Sequence, residues 1–331
     1  MLVLNERDLS ALLPMNEVID AVEEGFGFHA RGRFRMPERM KVELPETGGT
    51  LLEMPCALIP DDADRPLSEP GGPRSRAALG TKIVTVFPDN PVRNVEAVQA
   101  SYLLLDPSTG VPLALMDGRF ITAIRTAATS ATATKHLGPK GPWQLAVFGT
   151  GVQAIYHVEA MAAIGKVDRV AVVSRTDDRA HSFVDQVSRR FGLDCEILNR
   201  ERAVESSNLI CTCTSSSTPV FSGTGLKPGT HINAIGTFTA GARELDTETI
   251  RRSRVIIDDD AGAGVEAGEI LIPILEGAID ASHATTTLAD VIAGAQPGRK
   301  SEHEITVFKS CGLAFEDLVT AELAYRKARK A

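Results

Sequence analysis

At 331 residues the chain is long enough for two domains, each with its own core. Hydrophobic residues make up 43% and charged residues 24%, the balance of an ordinary globular protein. The net charge of −8, with basic residues scattered rather than clustered, argues against nucleic acid or an anionic membrane as the main partner. No apolar run approaches membrane-spanning length and Met1-Leu-Val-Leu-Asn-Glu6 has no signal-peptide pattern, so a cytoplasmic location is expected. The five cysteines are dispersed. Cys211-Thr-Cys213 lies in an apolar, strand-like run without zinc-site spacing, so buried thiols and no metal are expected.

In chain order, residues 5–31 read as a starting helix region, with Leu9, Leu12, Leu13, Val18, Ile19, Val22 and Phe26 at helical spacing. Met40–Leu44 and Thr50–Met54 flank the turn Glu46-Thr-Gly-Gly49 and predict a hairpin. Residues 59–78, rich in Pro, Gly and charge, predict a long loop or cover. A strand at 79–87 follows, then a second hairpin with strands at 100–105 and 112–116 around Asp106-Pro-Ser-Thr-Gly110. The first 115 or so residues thus read as an α+β module with mostly antiparallel strands. Residues 120–137 predict a buried helix, because Ala and Thr dominate it and small side chains permit close approach.

From Gln144 onward the pattern alternates. Strands are expected near 144–148, 169–174, 195–198, 208–214, 230–236 and 254–258. Helices are expected after Gly151 and at 177–191, 200–206 and 246–252, with a further helix near 313–324. Such alternation argues for a parallel sheet covered on both faces. At its start stands Gly149-Thr150-Gly151-Val152-Gln153-Ala154, a G-x-G-x-x-A string between strand and helix. In a dinucleotide-binding unit the first Gly permits the tight turn and the second lets backbone approach a pyrophosphate. The small third residue lets helix and strand pack closely. The helix N-terminus then offers free N–H groups to the phosphates. The second strand ends in Ser174-Arg175-Thr176, where NAD-binding units carry an acidic residue for the ribose. With no carboxylate to repel a 2′-phosphate and a guanidinium to hold one, NADP is favoured over NAD. Asp177 and Asp178 read as the first turn of the next helix. Thr214 and Gly236, at the ends of later strands, complete the expected cofactor set.

Lys82 lies in the apolar strand, either snorkelling from an edge or pointing into a cleft with a lowered pKa. Arg125 is the only charge between Arg119 and Lys135 and needs a partner, either an internal carboxylate or that of a substrate. Arg39, beside Met36-Pro37, is a second candidate arginine whose simpler reading, preferred on the residues alone, is a surface charge, and Glu53 either pairs with Lys82 or is solvated. Asp258-Asp-Asp260 ends a strand where α/β folds bind ligands, or caps a helix. His231 reads as a core residue. A nicotinamide site with Lys and Arg groups from a second module predicts a dehydrogenase or reductase of a small carboxylate, with a nucleotide-dependent sensor or a binding protein as other classes.

Several strings occur in a telling order. They are Met36-Pro-x-Arg39, Glu53-Met-Pro55, Thr81-Lys82, Leu103-Leu-Leu-Asp-Pro-Ser-Thr-Gly110, Leu115-Met-Asp-Gly118, Arg125-Thr-Ala-Ala128, Gly149-Thr-Gly-Val-Gln153, Ile232-Asn-Ala-Ile-Gly236, Arg243-Glu-Leu-Asp246 and Val307-Phe-Lys-Ser310. From about residue 30 onward the chain therefore resembles the ornithine cyclodeaminase/mu-crystallin family. The resemblance implies a homodimer whose substrate and dimerisation domain is built from the N-terminal part and the C-terminal tail, with a Rossmann domain inserted between them. It implies that Arg39, Lys82 and Arg125 bind the substrate carboxylate, with Lys82 near the reacting nitrogen. It also associates an arginine loop at 174–176 with NADP. One departure stands out. Ornithine cyclodeaminases carry an Asp shortly after the Asn-Ala-x-Gly motif, and this chain has Phe238 there, which can neither move a proton nor hold a δ-amino group.

The expected fold is therefore α/β, a Rossmann-type doubly wound parallel sheet (120–305) inserted in an α+β substrate and dimerisation domain (1–119 plus 306–331). The expected substrate set is Arg39, Glu53, Met54, Lys82, Arg125 and Phe238, with Lys82 and Arg125 catalytic. The expected activity is NAD(P)H-dependent reduction of a cyclic imino acid, 1-pyrroline-2-carboxylate or 1-piperideine-2-carboxylate, to proline or pipecolate. The alternatives are alanine-dehydrogenase-like oxidation, reductive amination of a 2-oxo acid, ornithine cyclodeamination, and a non-catalytic mu-crystallin-like NADP-binding protein.

Overall fold

The computed structural model describes residues 1–60 and 76–330, excluding the side chains of Pro91, Asp260 and Ala261. Its contacts divide into two compact units, Met1–Arg125 with Leu313–Ala331, and Thr126–Gly312. Each is built around one sheet.

In the first unit β1 (Leu2–Leu4) precedes α1 (Glu6–Leu12) and α2 (Met15–Ala30). The single helix region expected over 5–31 is thus two helices, because Pro14 has no N–H to continue α1 and caps α2 instead. The strands are β2 (Phe34–Arg35), β3 (Met40–Leu44), β4 (Gly49–Leu58), β5 (Ala78–Val86), β6 (Val98–Leu105) and β7 (Pro112–Asp117). They form a sheet in the order β1-β7-β6-β5-β4-β2, with β3 also on β4. Every pairing is antiparallel except β1 with β7, and both expected hairpins are present. Most of the loop expected at 59–78 lies outside the described residues.

Strand alternation sorts this sheet into two faces. Leu52, Met54, Cys56, Lys82, Val84, Tyr102, Leu104, Ala114 and Met116 are buried. They lie on the side covered by the last helix, which packs against β4, β5 and β6 and in turn against α2. The opposite face carries Met40, Val42, Ile83 and Leu115, all exposed.

The helix α3 (Gly118–Leu137) crosses the boundary between the units, and every residue from Ala123 to Thr134 is buried, as its small side chains predict. One of its buried hydroxyls turns back on the helix, where Thr134 Oγ1 donates to the Ser130 carbonyl at 2.8 Å.

The second unit alternates as expected: β8 (Trp143–Phe148), α4 (Val152–Ile164), β9 (Val167–Val173), α5 (Asp177–Phe191), β10 (Cys195–Ile197), α6 (Arg200–Ser206), β11 (Leu209–Thr212), β12 (His231–Ala234), α7 (Thr247–Arg252) and β13 (Arg254–Ile257). Beyond the expected elements come α8 (Asp260–Glu266), α9 (Gly268–Leu275), β14 (Thr286–Thr287), α10 (Leu288–Ile292) and β15 (Thr306–Lys309). All eight strands run parallel in the order β10-β9-β8-β11-β12-β15-β13-β14. From β8 the chain winds outward to β9 and β10, then returns to the other side at β11. That reversal makes the carboxyl ends of β8 and β11 a topological switch point, where such sheets bind ligands.

Both expected boundaries differ from this division, and residues 120–125 fall in the first unit. The 306–331 segment does not belong to a single unit, because β15 pairs with β12 and β13 in the parallel sheet. The chain leaves the second unit only at Gly312, and α11 (Ala314–Ala328) returns to the first.

Candidate functional site

The nucleotide motif sits at the switch point. Gly149 follows β8 with φ of +103°, a conformation that a side chain strongly disfavours. A Cβ there would also lie 2.6 Å from the Cys213 carbonyl oxygen, so the turn needs glycine twice over. Gly151 is the N-cap of α4 and makes no side-chain capping bond, and a Cβ placed on it would meet nothing within 4 Å. Open backbone beside a helix N-terminus fits a pyrophosphate. Thr150, Val152 and Gln153 flank it, with Val152 exposed. After β9, Ser174-Arg175-Thr176 leads into α5 with Arg175 exposed, and Asp177 and Asp178 are the first turn of that helix, as expected.

Thr214 and Gly236 are held by a residue that sequence reasoning passed over. The buried Glu244 carboxylate accepts from Thr212 Oγ1 (2.8 Å), Thr214 N (2.7 Å), Thr214 Oγ1 (2.7 Å) and Gly236 N (2.8 Å). It ties the loop after β11 to the loop after β12. Burial raises its pKa despite these donors. Close by, buried Lys309 pairs with Glu269 at 2.9 Å and donates to the Thr237 carbonyl. Burial is the largest influence on Lys309 and lowers its pKa, but the charge and hydrogen bond of Glu269 together with the other nearby groups outweigh it and the net shift is upward. Phe238 is half-buried in the loop after β12.

Asp258 is engaged by the chain itself and does not take the N-cap position of α8. It is buried and accepts from Ser310 Oγ, Cys311 N and Gly312 N, fixing the turn after β15. Asp259 takes the N-cap position of α8, and the Asp260 side chain lies outside the described residues. His231 is a core residue, its Nδ1 2.9 Å from Thr306 Oγ1, with burial depressing its pKa to about 3. The cysteines form no disulfide, but only Cys56 and Cys211 are fully buried, because the other three lie at element ends. Among the described residues no cluster of metal-ligating groups occurs, and no helix is long and apolar enough to cross a membrane.

The first unit holds the cations. Lys82, in the middle of β5, is 1% exposed and so does not snorkel from an edge. Its Nζ lies 2.6 Å from Asp317 Oδ2 on α11. The other Asp317 oxygen accepts from Arg125 Nε at 3.0 Å, while Arg125 Nη1 donates to Glu316 Oε2 at 2.5 Å. Two cations and two carboxylates thus form one buried, charge-balanced cluster. Burial lowers the Lys82 pKa to about 8, against the pull of Asp317 and with the push of Arg125. For Arg125 burial acts in the same direction, but the Asp317 and Glu316 charges outweigh it and hold the guanidinium above its ordinary value.

Of the two partners considered for Arg125, internal carboxylates are present. Met54 is buried beside Lys82, directly opposite it in register. Glu53 does not pair with Lys82. It lies opposite Ile83, on the other face of the sheet, within 3.4 Å of Thr81 Oγ1. A one-residue offset along a strand separates the two completely. Arg39 is partly buried just before β3.

Comparison with known proteins adds to this geometry. The model of the Ornithine cyclodeaminase/mu-crystallin family matches residues 1–331. The chain is 34% identical to a Delta(1)-pyrroline-2-carboxylate reductase of Bacillus cereus, over 99% of this chain and 97% of the relative. It is 36% identical to the ketimine reductase mu-crystallin of Mus musculus, over 96% of this chain and 92% of the relative. Among solved structures, that of Thermococcus litoralis Delta(1)-pyrroline-2-carboxylate reductase in complex with NADH and L-proline superposes with a TM-score of 0.93 at 38% identity, covering 100% of this chain and 98% of that one.

Proposed function

The chain belongs to the ornithine cyclodeaminase/mu-crystallin family, and from that premise we propose that it is an NAD(P)H-dependent reductase of a small cyclic imino acid. The substrate is 1-pyrroline-2-carboxylate or 1-piperideine-2-carboxylate and the product proline or pipecolate. The observation that carries this reading is the buried Lys82, its pKa brought to about 8 beside a permanently charged Arg125.

Reduction of a C=N bond needs a carboxylate anchor and an acid that is willing to give up a proton near neutrality. A lysine with an ordinary pKa is a poor donor, whereas one near 8 is well matched. Arg125, with Arg39, anchors the substrate carboxylate, and positioning of C2 supplies much of the rate. Among the described residues Lys82 Nζ donates only to Asp317, so two of its three protons remain for substrate. One passes to the imine nitrogen. A nicotinamide cofactor, held by the turn at Gly149–Gln153, would supply the hydride when bound. Met54, opposite Lys82, gives the ring an apolar neighbour.

The cofactor is NADP in preference to NAD, supported by the absence of any carboxylate between Val173 and Asp177 and by the exposed Arg175. The half-buried Phe238, where a cyclodeaminase has its Asp, supports reductase over cyclodeaminase activity. The protein works as a homodimer in the cytoplasm. Dimerisation is supported by the exposed apolar residues Met40, Val42, Ile83 and Leu115 on one sheet face, since a face of this kind commonly marks a protein interface.

Lys82→Ala and Arg125→Ala are expected to lower kcat/KM for the imino acid by about 100-fold or more. NADPH affinity, measured by fluorescence titration, stays near wild type. Undiminished turnover in either variant would remove the site assignment.

A further inference from the structure

We infer that Asp317 is a positioning residue for the proposed reaction: its carboxylate clamps the Lys82 ammonium and the Arg125 guanidinium together and balances their charge. The inference rests on the proposed roles of Lys82 and Arg125.

Three observations carry it. Asp317 uses both oxygens, Oδ2 on Lys82 at 2.6 Å and Oδ1 on Arg125 at 3.0 Å, and among the described residues it has no other hydrogen-bond partner. All three groups are buried, so water does not screen them. And no other group facing Lys82 can replace Asp317. From β6 comes Tyr102, fully buried, its hydroxyl without a hydrogen-bond partner among the described residues. From β4 comes Cys56, buried as well. Burial, and then the Asp317 charge, push both of these groups up, so both stay neutral. From α3 comes Arg125, a like charge. From α11 comes Glu316, which binds Arg125 Nη1 rather than Lys82.

Asp317 also stands in the first turn of α11, where the helix dipole favours an anion. Without it, a lysine and an arginine would face each other in a buried site, and the lysine is the one able to discharge.

The test follows the titration of Lys82. Its side-chain NMR signal, identified by its loss in Lys82→Arg, is titrated without substrate, and the pH profile of kcat/KM with 1-pyrroline-2-carboxylate is recorded alongside. In the wild type the midpoint is expected near 8, with activity falling as pH rises through it. Asp317→Asn removes the anion and moves both midpoint and limb down by about one pH unit or more. Arg125→Gln removes the repelling cation and moves the NMR midpoint up. A merely structural Asp317 would lower activity equally at every pH and leave the limb in place, which would overturn the inference.

If Asp317→Asn does not fold, the Arg125→Gln arm decides: an unmoved or lowered midpoint overturns the assignment. Because the NMR titration needs no turnover, the two readings fail separately. A midpoint that shifts in a protein inactive on imino acids sinks the proposed activity alone. Robust turnover with an immobile midpoint sinks the role of Asp317 alone.

Discussion

Among the described residues each buried charge has a counter-charge or a set of hydrogen bonds. Lys82 and Arg125 could be singled out from sequence because a cation in an apolar strand or a small-residue helix cannot stand alone. Their partners could not, since Asp317 is 235 positions from Lys82 and 192 from Arg125, and acids opening a helix look like ordinary capping. Buried neutral groups carry a further consequence. His157 on α4 contacts Ser130 Oγ and the Gln153 carbonyl, and burial lowers its pKa from 6.5 to about 4. Between those values the unfolded chain binds a proton that the folded chain refuses, so stability rises with pH through the window and is lost as pH falls. The effect of this one side chain is on the order of 3 kcal/mol. Thermal melts at pH values on either side of the window are expected to differ less for His157→Gln than for wild type. An equal difference would show that this histidine is not the group responsible.

Elements with a clear period were legible, and short ones without a turn signal were not. The G-x-G-x-x-A turn with its flanking strand and helix, the two hairpins and the alternation from Gln144 all follow from residue spacing and turn chemistry. By contrast β14 has two residues and β15 four. Thr306–Lys309 was legible as a motif but not as a strand, because only parallel neighbours on both sides explain its complete burial. The turn after β8 offers the sharpest test at this scale. Gly149→Ala places a side chain at φ of +103° and against the Cys213 carbonyl. The backbone conformation alone costs about 1–3 kcal/mol. Calorimetry is expected to show weaker NADPH binding along with a lower Tm. Unchanged binding would mean that this turn does not hold the cofactor.

For the whole molecule, sequence alone conveyed a parallel nucleotide-binding unit inserted into a mostly antiparallel one. The place where the chain returns to the first unit was less legible, because β15 and α11 are separated by only four residues, Ser310 to Leu313. The exposed sheet face makes assembly testable. Ile83→Asp puts a charge in the centre of that face, and light scattering coupled to gel filtration is expected to show monomers where the wild type shows dimers. A wild-type monomer would remove the homodimer, and a dimeric variant would move the interface elsewhere.

The central claim is tested most directly by supplying the purified protein with 1-pyrroline-2-carboxylate and NADPH, following nicotinamide oxidation and identifying the product, with L-ornithine and NAD in parallel. Stoichiometric NADPH oxidation with formation of proline, and no ammonia from ornithine, is the predicted result. Proline and ammonia from ornithine, with no reduction of the imine, would contradict it and would show that Phe238 does not exclude cyclodeamination.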